Sequence, residues 1–427
     1  MTTPLSLKLL RPLYDAAMSA AIPLLKSNHR LEDGFDERTL SEALPAGVDV
    51  WIQGASAGEA HLAINLLEQL GEFRRVRALV TTCTRQGRDI LDAAAARIGG
   101  DGRGVSLISA YLPFDKPALM RRAVAHVRPK AMVLLETELW PGLLWALRQE
   151  NTPAMVVNGR MRTRSLSRYL AARSLFEALA PAEILAVSEA EARRFRTLFR
   201  RSNVSIMHNM KFERFALTES IPYIKNPLSQ VFRPKAPLLV LGSMREEEKL
   251  QTVEIIRRVR EERPRTICAV FPRHMHHVEN FAQAFHEHGL PCELRSQVQG
   301  FASPGSVLLW DAFGELNLAY WLAKAVFVGG SLAPLGGQNF LEPLACGVIP
   351  VMGPHWFNFS WVGEEILEQG LALQAQDAAQ ASELLLKQMA SSASWENVRK
   401  QAFSYVAARQ GGARQAAERV ARRLGSV

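Results

Sequence analysis

From residue 48 onwards the sequence alternates short apolar, β-branched runs with segments of helical periodicity, and the same rhythm resumes at residue 238. Near-continuous apolar strands separated by helices are typical of parallel sheets, because the crossover helices cover both faces of the sheet. The sequence therefore predicts an α/β fold built from doubly wound parallel sheets. The predicted strands are Val48–Gln53, Val76–Thr82, Val105–Tyr111, Ala131–Glu136, Ala154–Asn158, Ile184–Ser188 and Val204–His208, followed by Leu238–Gly242, Thr266–Phe271, Val307–Trp310, Ala325–Val328 and Val348–Met352.

A stretch with four prolines and no helical periodicity, residues 219–237, separates the two alternating halves. The chain has 427 residues, and single cores rarely grow beyond roughly 250–300 residues. We therefore predict an N-terminal segment 1–30, a first Rossmann-like domain 31–218, a linker 219–237 and a second Rossmann-like domain 238–427. Open α/β sheets bind ligands beyond the carboxyl ends of their strands, so we expect the functional residues on those loops, with both domains facing a central cleft.

The charge balance narrows the possible partners. A net charge of +9 favours polyanions, namely nucleic acid, an anionic membrane surface or a phosphorylated substrate. The four cysteines are scattered without a C-x-x-C pair, which argues against a disulfide framework or a structural zinc site. No G-x-x-x-x-G-K-[ST] sequence is present, and this argues against a P-loop nucleotide hydrolase.

The N-terminal stretch Pro4–Leu25 is apolar, but Lys8, Arg11 and Asp15 interrupt it. It is too broken to predict a membrane-spanning helix. Two interpretations remain open: an amphipathic helix that lies on a membrane surface, and a helix that packs on the surface of the first domain.

The segment Gly54–Gly58 is a literal G-x-S-x-G between a predicted strand and a predicted helix, which is the nucleophile-elbow pattern of serine hydrolases. It follows the first predicted strand, before a hydrolase sheet would be built, and no convincing acid and histidine follow. Small residues at a tight turn explain the pattern better, with Ser56 chosen for its size. Glu59 then lies in the first helical turn, where the helix dipole would keep it ionised as a general base.

Glycine-rich turns mark the second half of the chain. Gly329-Gly330-Ser331 follows a predicted strand, and Gly336-Gly337-Gln338-Asn339 leads into a helical stretch that begins near Phe340. Glycines before a helix let backbone N–H groups approach an anion, and the helix dipole favours a phosphate there. Glu342 is placed to accept hydrogen bonds from vicinal hydroxyls of a ribose.

Two further strand ends carry polar groups. Arg273 follows Pro272 at the end of a strand, where its guanidinium can bind a phosphate bidentately. The run 311–316 ends another strand and offers backbone amides for a base or a phosphate. Together with the glycine-rich turns, these residues predict a nucleotide-sugar site in the second half.

The motifs occur in an order that resembles the bacterial 3-deoxy-D-manno-octulosonic acid (Kdo) transferases, from about residue 30 to about residue 370. The segments that carry the resemblance are Trp51 with Ala55–Glu59, Glu136-Thr137-Glu138-Leu139-Trp140-Pro141, Asn209-Met210-Lys211-Phe212, Pro272-Arg273-His274 and Gly329–Pro343. The resemblance implies an inverting GT-B glycosyltransferase that needs no metal or other cofactor. It implies transfer of Kdo from CMP-Kdo to a lipid A precursor at the cytoplasmic face of the bacterial inner membrane, with an anionic membrane surface as a further partner.

The resemblance also implies roles for individual residues. The carboxylate of Glu59 matches the catalytic base, and Glu136 and Lys211 match residues that assist the transition state. The residues that match the CMP-binding set are Pro272, Arg273, Phe313, Gly314, Glu315, Asn339, Phe340, Leu341 and Glu342. These roles agree with the chemistry, because inverting transfer needs a base for the acceptor hydroxyl, and the leaving CMP carries negative charge that cations can stabilise.

Alternatives remain at this point. Gln338 stands where the family usually has histidine, and glutamine cannot carry a titratable charge. A paralogous GT-B transferase with another nucleotide sugar or a capsular acceptor is therefore the nearest alternative. A nucleic-acid-binding module would fit the charge, but no helix-turn-helix, RNP sequence or strip of aromatic and basic residues supports it. The number of Kdo residues added, the acylation of the acceptor and the mode of membrane attachment are not encoded in these motifs.

Overall fold

The computed structural model describes residues 5–98, 104–215, 219–391 and 394–425. The contacts divide the chain into two compact units. As far as described, unit 1 comprises Met1–Arg214 with Arg409–Val427, and unit 2 comprises Phe215–Ala408. Each unit contains a sheet of its own.

The sheet of unit 1 consists of β1 (Val50–Gln53), β2 (Val76–Thr82), β3 (Val105–Tyr111), β4 (Ala131–Leu135), β5 (Ala154–Gly159), β6 (Glu183–Ala186) and β7 (Asn203–Ile206). All neighbouring strands run parallel, in the spatial order β3-β2-β1-β4-β5-β6-β7. The central strands β1 and β4 are buried along their whole length, as expected for a sheet covered on both faces. The first predicted parallel sheet is confirmed.

The helices of unit 1 are α1 (Leu5–Leu25), α2 (His29–Glu32), α3 (Phe35–Thr39), α4 (Ala57–Gly71), α5 (Arg85–Ile98), α6 (Pro117–Val127), α7 (Pro141–Gln149), α8 (Thr163–Ala171), α9 (Arg173–Ala178) and α10 (Glu189–Leu198), with α18 (Gly412–Arg423) from the C-terminal end of the chain. Successive residues of β1 enter two separate apolar clusters. Val50 and Ile52 pack with α4, α5 and α18, and Trp51 packs with α6, α7 and α10. The strand period of two therefore builds one core on each face of the sheet.

The sheet of unit 2 consists of β8 (Leu238–Met244), β9 (Ile267–Pro272), β10 (Cys292–Leu294), β11 (Val307–Leu309), β12 (Ala325–Val328), β13 (Pro350–Met352) and β14 (Leu373–Gln374). Its strands are also parallel, in the order β10-β11-β9-β8-β12-β13-β14. Its helices are α11 (Lys249–Glu262), α12 (Val278–Glu287), α13 (Leu316–Tyr320), α14 (Leu341–Ala345), α15 (Glu365–Glu368), α16 (Ala378–Ala390) and α17 (Trp395–Ala407). The second predicted parallel sheet is confirmed.

The two edge strands of unit 2, β10 and β14, have no counterpart among the predicted strands. They contain three and two residues, respectively, and their side chains are only partly buried or exposed. Such short strands lack a continuous apolar run, so the sequence pattern does not distinguish them from loops.

The two compact units differ from the predicted domain boundaries. The predicted linker 219–237 packs into unit 2, where Leu228, Val231 and Phe232 are buried. The C-terminal residues were predicted within the second domain, but α18 packs on unit 1 through Ala413, Ala416 and Ala417. The predicted end of the first domain at residue 218 lies outside the described residues.

Helix α1 is docked on unit 1 at its middle and exposed along other positions. The hydroxyl of Tyr14 donates to Asp115 at 2.9 Å, and the backbone N–H of Ala118 donates to Asp15 at 2.7 Å. Leu13 and Leu24 expose 67% and 76% of their surface, so α1 both packs on the domain and presents apolar side chains outward. In the described part of the chain, every helix is too short or too polar to cross a bilayer.

Candidate active site

The carboxyl ends of the central strands in unit 1 bring three predicted site residues to one edge of the sheet. The chain order reverses between β1 and β4, and such a switch point opens a crevice beyond the strand ends. Glu59 follows β1, Glu136 follows β4, and Lys211 follows β7. The topology therefore places the two carboxylates on either side of the switch point.

Glu59 is the third residue of α4, and it closes a capping box with the residue that precedes the helix. Its Oε2 accepts hydrogen bonds from the backbone N–H of Ser56 at 2.8 Å and from the Ser56 hydroxyl at 3.0 Å. Burial raises the pKa of Glu59 to about 7, with further contributions from the carboxylates of Glu138 and Glu136, against the lowering effect of Ser56. A carboxyl group that titrates near neutrality suits a general base.

Two expectations about this turn were wrong. Ser56 is not present for its size alone, because its hydroxyl donates to the carboxylate of Glu59. The helix dipole also does not dominate the ionisation of Glu59, because desolvation and two neighbouring carboxylates raise its pKa.

Glu136 forms ion pairs with two cations. Its Oε1 lies 2.6 Å from the Nζ of Lys211 and 3.6 Å from the Nη1 of Arg160, and all three side chains are largely buried. The backbone of Glu136 has a φ of +53°, which a non-glycine residue rarely adopts. Strand β4 therefore ends one residue earlier than predicted. In this left-handed turn the carboxylate of Glu136 lies next to Lys211.

Glu138 is a half-buried carboxylate that the sequence motifs did not assign to the site. Its Oε2 accepts hydrogen bonds from the side-chain amide of Gln53 at 2.9 Å and from the indole of Trp140 at 2.7 Å. Burial raises the pKa of Glu138, and these two donors oppose that effect. Trp140 therefore does more than pack, since its indole N–H holds the carboxylate that neighbours Glu59.

Glu138 and Arg160 differ in how far the sequence could have revealed them. Glu138 lies inside the segment Glu136–Pro141 that carries the family resemblance, so the sequence offered a reason to consider it. Its position depends on the left-handed backbone of Glu136, which the sequence pattern does not predict. Arg160 follows β5 in a chain with many arginines, and only the pairing of β4 with β5 brings it to Glu136.

In unit 2 the residues predicted to bind the CMP moiety follow three strands of the same sheet. Arg273 follows β9, Phe313 to Glu315 follow β11, and Asn339 to Glu342 follow β12, with β8 between β9 and β12. The guanidinium of Arg273 is exposed, and no described residue forms a hydrogen bond or ion pair with it. This edge of the sheet therefore carries an available cation.

Glu342 is held by Asn339, whose side-chain amide donates to it at 2.9 Å. The side chain of Glu342 is exposed on its solvent side, and partial desolvation raises its pKa, while Asn339 and the nearby charge of Arg273 lower it. The predicted pair of Asn339 and Glu342 thus forms one hydrogen-bonded unit close to Arg273.

The residues after β11 differ in whether their side chains are free to contact a ligand. The ring of Phe313 is 80% exposed. The carboxylate of Glu315 is already engaged, because Arg295 donates to it at 3.0 and 3.3 Å and the indole of Trp310 donates at 2.9 Å. Gly314 lies between them with a φ of +85°, which favours glycine. Glu315 therefore fixes this loop through internal bonds.

Three other predicted donor residues have buried side chains, namely Pro272, Phe340 and Leu341. They can contact a ligand only through their backbone. Helix α14 spans only Leu341–Ala345. Because the helix is so short, its dipole contributes little to binding a phosphate. Among the described residues, no three His, Cys, Asp or Glu side chains converge on a possible metal position.

Comparisons with known proteins identify related sequences. The profile of the family described as "3-Deoxy-D-manno-octulosonic-acid transferase (kdotransferase)" matches residues 27–214. A 3-deoxy-D-manno-octulosonic acid transferase of Bordetella pertussis is 32% identical over 379 residues, which cover 87% of this chain and 86% of the relative. A transferase of the same name from Haemophilus influenzae is 28% identical over 79% of this chain and 78% of its own length.

Solved structures with the same fold include a glycosyltransferase from Rickettsia africae, with a TM-score of 0.58 and 9% identity, covering 88% of this chain and 99% of the other. The Anabaena protein HepE in complex with UDP and glucose has a TM-score of 0.54 and 12% identity, covering 89% of this chain and 100% of the other. At this identity the likeness shows the fold alone, which is the two-sheet GT-B fold.

Proposed function

The chain belongs to the Kdo transferase family of glycosyltransferases, and from this premise we propose that it moves Kdo from CMP-Kdo to a lipid A precursor in lipopolysaccharide biosynthesis. The observation that carries the proposal is the arrangement around Glu59. A carboxylate with a pKa of about 7 lies beside a second acid that is paired with Lys211 and Arg160.

The proposed reaction assigns Glu59 as general base. Its carboxylate takes the proton of the acceptor hydroxyl while the acceptor oxygen forms a bond to the anomeric carbon of Kdo. The bond between that carbon and the phosphate oxygen of CMP breaks, and CMP leaves with the electron pair. Lys211, held by Glu136, supplies positive charge near the reacting groups.

Unit 2 is proposed to bind the CMP moiety. The exposed guanidinium of Arg273 suits a phosphate, because its donors can bind two oxygens at once. The Glu342 carboxylate, supported by Asn339, suits the ribose hydroxyls. The exposed ring of Phe313 offers a surface for the base. Gln338, as a neutral hydrogen-bonding group, would act beside them without a titratable charge.

The acceptor and the place of action follow from the lipid chemistry. A bis-phosphorylated lipid acceptor and an anionic bilayer both suit a chain with a net charge of +9. The exposed leucines of α1 provide apolar contact for a membrane surface. We propose peripheral attachment at the cytoplasmic face of the inner membrane, with α1 as one contact.

The test combines donor choice with product identity. CMP should raise the melting temperature of the purified protein, whereas UDP at the same concentration should not. Incubation with CMP-Kdo and a tetraacylated lipid A precursor should yield a product whose mass increases by whole Kdo residues. Protection by UDP instead of CMP, or an unchanged acceptor mass, would refute the proposal.

A further inference from the structure

Glu248 is a fully buried acid that the reaction described above does not use. It ends the 3-10 turn Glu246–Glu248 that follows β8, and it is 0% exposed. Among the residues that the structure describes, no Lys, Arg or His forms an ion pair with it. A buried carboxylate without a cation is costly unless other donors satisfy it.

Backbone amides supply those donors. The carboxylate of Glu248 accepts from the N–H groups of Gly330 at 2.5 Å, Ser331 at 2.8 Å and Leu332 at 2.7 Å, and more weakly from Ala333 at 3.3 Å. Successive amides that converge in this way form an anion-binding concavity of the kind that binds phosphates in other proteins. In this protein the anion in the concavity is the carboxylate of Glu248 itself.

The glycine-rich loop is folded around this carboxylate. Gly330 has a φ of +70°, and a Cβ on Gly329 would lie 2.7 Å from the backbone of Met244. The loop then closes on itself, because the N–H of Gly337 donates to Gly330 at 2.6 Å and that of Gln338 donates to Gly329 at 3.0 Å. The next residues along the chain are Asn339 to Glu342.

We propose that Glu248 is a positioning residue for the nucleotide donor: its carboxylate permanently fills the amide concavity of residues 330–333 and thereby fixes the loop that carries Asn339 and Glu342. The donor phosphate is consequently bound elsewhere, with the exposed Arg273 as its cation. This inference rests on the proposed function for the identity of the donor. It also corrects the expectation that the first glycine-rich turn offers its amides to a phosphate.

The first experiment is anion rescue in the full-length protein. Glu248→Ala should raise the dissociation constant of CMP at least about tenfold, since several amides lose their acceptor. Excess formate should restore most of the affinity by entering the vacated concavity, and chloride at equal ionic strength should not. Glu247→Ala, which alters the exposed neighbour on the same turn, should bind CMP as the wild type does. CMP affinity within twofold of the wild type for Glu248→Ala, or a loss that formate does not reverse, would overturn the proposal.

The second experiment does not depend on the donor or on the alanine variant folding. Glu248→Gln keeps the shape but places an amide NH₂ group against backbone donors. Hydrogen exchange at residues 330–333 should accelerate at least about tenfold, while exchange in β8 and β12 stays unchanged. Equal exchange rates in the wild type and the variant would overturn the proposal. If the wild type failed to bind CMP, the proposed function would fall, and this exchange experiment would still test the role of Glu248.

Discussion

The ionisation of Glu59 depends on residues that sequence patterns do not bring together. Its carboxylate is desolvated and lies near two other acids, while the hydrogen bonds from Ser56 stabilise its charge. Brønsted behaviour favours a base whose pKa is close to the working pH. The same surroundings that destabilise the ionised form therefore make it a stronger base.

The first prediction concerns the pH dependence of transfer. Only the deprotonated form of Glu59 can accept the proton, and its pKa is about 7. The value of kcat/KM for the acceptor should therefore fall about tenfold for each pH unit below about 7 and reach a plateau above it. Initial rates of CMP release between about pH 5 and pH 8 measure this profile. A profile that is flat across this range would exclude Glu59 as the base.

The second prediction concerns stability at the same residue. The pKa of Glu59 is higher in the folded protein than in the unfolded chain, so folding favours its protonated form and stability falls as the pH rises towards 7. Glu59→Gln removes this cost and still accepts a bond from Ser56. Its melting temperature should exceed that of the wild type at pH 8, with a smaller difference at pH 5.

Glu72→Gln is the matched control for stability, because Glu72 is an exposed acid at the end of the same helix. Its melting temperature should equal that of the wild type at both pH values. A Glu59→Gln protein that is less stable than the wild type at pH 8 would contradict the assignment of a raised pKa.

The third prediction distinguishes the two cations that contact Glu136. Lys211 lies 2.6 Å from the carboxylate and Arg160 lies 3.6 Å away. Lys211→Met should lower kcat about 10²-fold, as loss of a transition-state cation or donor does. Arg160→Gln should lower kcat by a smaller factor. Arg164 is an exposed arginine on α8, and Arg164→Gln should have no effect on kcat. A larger loss for Arg160→Gln than for Lys211→Met would contradict this order.

At the level of helices and strands, sequence patterns succeed where an element is buried on both sides. The central strands β1, β4, β8 and β12 are mostly apolar and buried, and hydrophobic patterns predict them from the sequence. The chain order then predicts which loops share one sheet edge. Glu59 and the residues after β9 and β12 could therefore be anticipated.

Features that depend on tertiary contacts could not be anticipated in the same way. The left-handed backbone of Glu136 turns Glu138 towards Gln53 and Trp140, and such a turn has no marker at a glutamate. The partner of Glu248 is a loop more than eighty residues away in sequence. In both cases the decisive interactions involve backbone groups or distant residues, whose meeting only the fold determines.

Helix α18 carries the fourth prediction, at the level of a packed element. Its small residues let it pack closely against the rest of unit 1, and Ala416 is 0% exposed. Ala416→Leu should destabilise unit 1 by about 1–3 kcal/mol, because added methylenes overpack a filled core. Thermal unfolding should show a lower melting temperature. Arg422→Leu, at an exposed position of the same helix, should leave the melting temperature unchanged, and equal effects of the two variants would contradict the packing.

At the scale of the whole molecule, the proposed function assigns a different role to each of the two units. Unit 1 holds Glu59 and the pair of Glu136 with Lys211, and unit 2 holds the proposed CMP residues around Arg273. Each unit has its own parallel sheet, with its candidate functional residues after the carboxyl ends of the strands. Chemistry and nucleotide binding should consequently be separable by mutation.

The most direct test of this account compares the wild type with Glu59→Gln in the same preparation of CMP-Kdo and tetraacylated lipid A precursor at pH 8. We predict that the wild type adds Kdo to the acceptor. The variant should do so about 10²–10⁴-fold more slowly, while its dissociation constant for CMP stays within about twofold of the wild type. Transfer by Glu59→Gln at the wild-type rate, with the expected product mass, would contradict the central claim that Glu59 is the base of the reaction.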